Sequence, residues 1–243
     1  FGVVKKIFRK LNRKLFHIPF IYAWVYEECF IEQNGEFILY SVPVLKMDTV
    51  SEVLALIKQA MKKDKKFLFK GDITKLNCDA IVNPGNEKGL GCFEPSHDCL
   101  DNKINVDAGM RLRLACNEIM SKKNYHLEKA ECIITKAFNL PSKYIIETNG
   151  PIIDKKLEEK DKDVLKNCYI NALNLAKQSN IKTIAFPCIA TGQFNFPNRE
   201  AAEIAYNAIN EYVKNNPNVF DQIIICTYKD VDYNYYKLLI NSK

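Results

Sequence analysis

The chain has 243 residues, 47% of them hydrophobic, enough to bury one sizeable core with an appendage, which excludes a disordered protein. No apolar run reaches the roughly 18 residues that span a bilayer, because Lys, Arg, Glu or His interrupts each candidate, so the chain reads as soluble with no membrane partner. The formal charge of +6 is local: residues 1–14 carry Lys5, Lys6, Arg9, Lys10, Arg13 and Lys14 without an acid, and the rest of the chain balances, which argues against a chain-wide nucleic-acid surface.

That basic stretch is a solvated helix face or a local contact to RNA, an anionic membrane or a partner. An aromatic-rich segment from Phe20 to Tyr40 follows, then a helix predicted from Thr49 to Met61 with Val50, Val53, Leu54, Ile57 and Met61 on one face. The cluster Lys62 to Lys66 marks a boundary between an extension, residues 1–66, and a domain, residues 67–243.

Within the domain the pattern alternates. Strands are predicted at Phe67–Phe69, Ala80–Val82, Ala130–Ala137, Tyr144–Thr148, Thr183–Phe186 and Ile223–Thr227. Helices are predicted through Ile104, Ala108, Leu112, Ala115 and Ile119, over about 162–178 and 198–213, and from about Tyr233. This alternation indicates an α/β sandwich with a largely parallel or mixed sheet, in which ligands bind at loops beyond the carboxyl ends of strands. Nine cysteines scattered through a chain of this length, without a recognisable secretory signal, predict free thiols and a cytoplasmic location. Cys29, Cys78, Cys168, Cys188 and Cys226 sit in apolar stretches as small buried hydrophobes; Cys92 and Cys99 do not.

Four post-strand loops concentrate Gly, Asn, Asp, Pro and aromatic residues. In Gly71-Asp72-Ile73-Thr74 a carboxylate at a strand end suits an exocyclic amine such as adenine's, and equally a helix cap or turn. Asn83-Pro84-Gly85-Asn86 places two amides at the end of the next strand, which is also ordinary turn chemistry. The segment from Gly91 to Asn102 holds Cys92, His97 and Cys99 within eight residues, in a loop stiffened by Pro95 and ahead of a predicted helix whose N-terminus lowers the Cys99 thiol pKa. These are preferred zinc donors, and three protein ligands leave a fourth position for water or substrate. Chance clustering is the alternative, since the spacing is no zinc-finger pattern. Last, Phe186 to Pro197 runs from a strand into a helix through Ala190-Thr191-Gly192-Gln193-Phe194, where small residues let backbone N–H groups approach an anion and Phe194 can pack on a sugar; many such turns bind nothing.

Taken in order, these loops resemble the macrodomain family, specifically its zinc-containing bacterial-type branch. The likeness rests on Gly71-Asp72-Ile73-Thr74, Asp79 to Asn83 with Asn86, Gly91 to Asn102, Ala108-Gly109, Leu140 to Tyr144, Gly150-Pro151 and Phe186 to Pro197. It implies a three-layer α/β/α macrodomain with a mixed central sheet, joined to a mainly helical N-terminal extension. The implied crevice holds ADP-ribose, with Asp72 at the adenine, Ile73 and Asn83 lining it, the backbone from Ala190 to Phe194 at the diphosphate, Asn86 at the distal ribose and Tyr228 against adenine. The departures are Asn83-Pro84-Gly85-Asn86 for the usual Asn-Ala-Ala-Asn, Asn105 and Glu147 where His is frequent, and Glu128-Lys129-Ala130-Glu131 for the usual Thr-Gly-Glu-Ala.

The function implied is release of ADP-ribose from a modified protein side chain. Zinc held by Cys92, His97 and Cys99 would polarise a ribose hydroxyl or bring the pKa of bound water toward roughly 7. Asp101 would orient or deprotonate the nucleophile, and Asn86 would hold the ribose. A sirtuin-like ADP-ribosyltransferase with a lipoyl-carrier protein is the partner system the resemblance suggests. The rivals are a non-catalytic ADP-ribose reader with a structural zinc and a nucleic-acid module acting through residues 1–14; His17 and His126 read as structural or solvated.

Overall fold

A computed structural model describes residues 66–94 and 96–241, together with the backbone of two short strands, β1 (Cys29–Ile31) and β2 (Phe37–Leu39), which pair antiparallel. The basic stretch, the helix expected over 49–61 and Pro95 lie outside the described residues.

The domain follows as β3 (Lys66–Lys70), β4 (Ala80–Gly85), α1 (Leu100–Ala108), α2 (Met110–Met120), β5 (Cys132–Lys136), β6 (Tyr144–Asn149), α3 (Glu159–Gln178), β7 (Thr183–Phe186), α4 (Asn198–Asn215), β8 (Gln222–Thr227) and α5 (Asp230–Asn241). The strands form one sheet in the order β3-β8-β7-β4-β6-β5. Every neighbouring pair is parallel except β5 with β6, so the sheet is mixed as expected. The helix expected through Ile104 and Ile119 is broken at Gly109, whose φ of 84° lies where a side chain is strained.

Alternation along the strands supplies both helical layers with a core. Leu68, Ala80, Val82, Ile146, Phe186 and Ile223 face α3 and α4, while Phe69, Ile81, Ile145, Ala185 and Cys226 face α1 and α2. Each fully buried Ile or Phe contributes about 1.5–3 kcal/mol of apolar transfer, so both faces of the sheet are held as firmly as parallel strands require. The carboxyl ends of β3, β4, β7 and β8 therefore open on one rim. No helix among the described residues is long and apolar enough to cross a membrane, and the eight described cysteines are free.

Candidate functional site

The loops that leave those four strands enclose a crevice of about 530 Å3. Asp72, Ile73, Asn86, Cys92, His97, Cys99, Asp101, Ala190, Thr191, Gly192, Gln193, Phe194 and Tyr228 all line it. Of the site residues expected from the sequence, Asn83 is the exception. It lies on the β4 face that packs under α1, is 0% exposed, and turns its amide to Asp101 instead of to the crevice.

At one end, Asp72 caps a short turn by accepting from the Thr74 backbone N–H at 2.9 Å and its hydroxyl at 2.7 Å. The turn-forming reading of this residue therefore holds, and its carboxylate also lines the crevice. Lys103, from α1, stands 3.5 Å from its second oxygen, a pairing the sequence did not signal. Tyr228, 79% exposed, presents its ring at the same rim.

The loop after β7 folds tightly at the crevice. Ala190 (φ 67°) and Asn195 (φ 54°) adopt the left-handed region, and Phe196 N–H closes the loop on the Ala190 carbonyl at 3.0 Å. Among the described residues no backbone carbonyl accepts from the N–H groups of Thr191, Gly192, Gln193 or Phe194, which leaves a row of donors at the crevice. Behind Phe194, Lys129 places its ammonium 5.7 Å from the ring centroid while donating to the Gly150 carbonyl at 2.8 Å. The sequence shows Lys129 only as a departure; the fold makes it a brace for the aromatic wall.

Facing this loop, the ligand atoms of Cys92, His97 and Cys99 all lie within 4.8 Å of one another, with Cys92 Sγ 3.2 Å from His97 Nδ1. Arg113 fixes the loop from α2 by donating to the Leu90 carbonyl at 3.1 Å and the Cys92 carbonyl at 2.5 Å, and it stacks over Phe93. Asn102 donates to the Glu94 and His97 carbonyls. Neither support carries a sequence motif. Hydrogen bonding of the protonated imidazole to Cys92, then to Gln193 across the crevice, raises the His97 pKa. Cys99 caps α1, accepting from the Asn102 N–H at 3.3 Å. Burial nevertheless pushes its thiol up to about 11, with Cys92 and Asp101 adding to the effect, so the lowering expected from the helix terminus is outweighed.

Asp101 stands in the first turn of α1, 5% exposed. One carboxylate oxygen accepts from Asn83 at 2.8 Å and from Asn105 at 2.9 Å; the other faces Asn86 at 3.5 Å. Burial pushes its carboxyl above the usual range, against the pull of Asn83, Arg113 and Asn105.

A row of free backbone donors, a rim aromatic and a buried carboxylate beside a thiol–imidazole cluster, all at the carboxyl ends of parallel strands, define an α/β domain that takes a nucleotide-like ligand. Residues 82–205 match the Macro domain family, and the chain belongs to that family. It is 41% identical over 182 residues to the protein-ADP-ribose hydrolase of Staphylococcus aureus (strain MRSA252), a match covering 74% of this chain and 68% of the relative. Among solved structures it resembles an Oceanobacillus iheyensis macrodomain mutant with ADPR (TM-score 0.66, 34% identity, 72% of this chain and 91% of that one). It also resembles the Trypanosoma brucei macrodomain in complex with ADP-ribose (TM-score 0.63, 27% identity, 72% and 69% covered).

Proposed function

We propose that this chain is a hydrolase that holds ADP-ribose in the crevice and releases it from ADP-ribosylated protein side chains, with a zinc ion on Cys92, His97 and Cys99. The observation that carries the reading is the convergence of those three ligand atoms within 4.8 Å on a wall shared with Asn86 and Asp101. The donor set fits the ion: two thiols and an imidazole are types zinc prefers, and three protein ligands are the number found at catalytic rather than closed structural sites. When bound, zinc supplies Lewis acidity to an oxygen in the crevice.

The chain's own residues do the rest. Asp72 accepts from the adenine amine and Tyr228 covers the ring. The N–H groups of Thr191 to Phe194 hold the diphosphate, which places the distal ribose at Asn86 beside the metal loop. Asp101, fixed by Asn83 and Asn105, orients or deprotonates the nucleophile. The substrate must come from an ADP-ribosyl transfer, for which a sirtuin-like transferase acting with a lipoyl-carrier protein in the cytoplasm is the proposed source.

Incubating zinc-loaded protein with a mono-ADP-ribosylated protein tests the reading. Free ADP-ribose accumulating in proportion to the amount of this protein supports it. Modified protein that stays intact while bound overturns it in favour of a non-catalytic reader.

A further inference from the structure

Under the crevice floor, acceptors outnumber donors. Asn83 on β4, Asn105 on α1 and Glu147 on β6 are 0%, 4% and 3% exposed. Both amide nitrogens donate to the same Asp101 oxygen, at 2.8 and 2.9 Å, and that of Asn105 also to the Asp101 carbonyl at 2.9 Å. Their oxygens, Asn83 Oδ1 and Asn105 Oδ1, and Glu147 Oε1 find no partner. Parallel register pairs Asn83 with Glu147, so the two side chains share one face of the sheet. Glu147 runs along that face to Gly85, where an added Cβ would meet Oε1 at 2.4 Å.

The ionisable groups that bear on Glu147 are Asp101 from α1 and Arg113 and Cys116 from α2, the Cys116 thiol donating weakly to Oε2 at 3.7 Å. Its register partner on β5 is Ile133, which offers nothing polar. An ionised Glu147 would need donors; among the described residues only the weak Cys116 thiol reaches it, and turning either amide over to serve it would set that amide's oxygen against Asp101. A proton on Glu147 is the missing donor, and it satisfies an amide oxygen without moving either amide.

We propose that Glu147, holding its proton, is a positioning residue of the crevice: its O–H donates to an orphan amide oxygen of Asn83 or Asn105 and keeps both amides turned to Asp101. The inference rests on the reading that gives Asp101 a part in hydrolysis. Burial, followed by the charge of Asp101, pushes the Glu147 carboxyl up to about 8, which leaves it largely protonated at neutral pH. A carboxyl whose folded pKa lies above its unfolded value of about 4.5 holds the native proton more tightly, so stability falls as pH rises from about 5 to about 8 and then levels.

Three zinc-loaded proteins test this: the native chain, Glu147→Gln, which keeps a donor and cannot ionise, and Glu147→Leu, which keeps bulk alone. In melts from pH 5 to 9, the Tm of Glu147→Gln minus that of the native chain should rise with pH. In release assays at pH 7, Glu147→Gln should keep kcat within about 3-fold, while Glu147→Leu should lose 10-fold or more with ADP-ribose affinity within about 3-fold. A Tm difference flat in pH, or kcat equal in all three proteins, overturns the proposal. The two readings fail separately: a native chain that binds without releasing ADP-ribose defeats the hydrolase reading, whereas the melts report the Glu147 proton whether or not release occurs.

Discussion

Asn83 donates its amide to Asp101 across 2.8 Å, tying the strand that floors the crevice to the first turn of the helix that walls it. Removing either end breaks a bond to a buried carboxylate. Asn83→Ala should destabilise the domain by about 1–3 kcal/mol in denaturant melts, the usual range for a lost hydrogen bond to a buried charged group, and should slow release of ADP-ribose. Asp101→Ala should lower the rate by roughly 10²–10⁴-fold, the range for a positioned acid or base. Rates within 2-fold of the native chain in both variants would remove Asp101 from the chemistry.

Asp72 has two oxygens and two tasks. Its turn-capping bonds fall on one oxygen, and the other faces Lys103 at the crevice. Asp72→Ala should weaken ADP-ribose binding by about 1–3 kcal/mol in calorimetry, because a buried amine loses a charged acceptor. The ligand with hypoxanthine in place of adenine lacks that amine, so its affinity should hardly change between native and variant protein. Equal losses for both ligands would show that Asp72 acts only by shaping the turn.

Gly192 separates ligand effects from folding effects. A Cβ added there meets no protein atom within 4 Å, so Gly192→Val has room in the fold. Its side chain would instead stand over the N–H donors of Thr191 to Phe194, proposed to hold the diphosphate. Thermal melts of Gly192→Val should match the native protein, while ADP-ribose affinity and hydrolysis both drop at least 10-fold. Native affinity in this variant would put the phosphates elsewhere.

The architecture was readable because strand alternation and helical spacing are strong in this chain, and Ile81, Ile145 and Ile224 announced one core face as plainly as Val82, Ile146 and Ile223 did the other. Most crevice residues were readable because they sit next to their strand ends in sequence. What escaped are partnerships between distant segments, such as Lys103 with Asp72, Arg113 with the Cys92 carbonyl and Lys129 behind Phe194. Each depends on which helix face meets which loop, and no local pattern encodes that. Asn83 was misplaced for a related reason: its position at a strand end suggested the ligand, whereas strand parity turned it inward beneath α1.

The metal is tested most directly by measuring hydrolysis and ADP-ribose binding side by side in protein of known zinc content. The native chain should carry one zinc, and Cys92→Ser and His97→Ala should lower that occupancy, since a hydroxyl or methyl group does not replace a thiolate or imidazole ligand. In these variants hydrolysis should fall by orders of magnitude while ADP-ribose affinity falls far less, because Asp72 and the loop from Ala190 to Phe194 lie on separate strand ends. Full hydrolysis by protein verified as zinc-free would contradict the account and leave the chemistry to Asn86 and Asp101 alone.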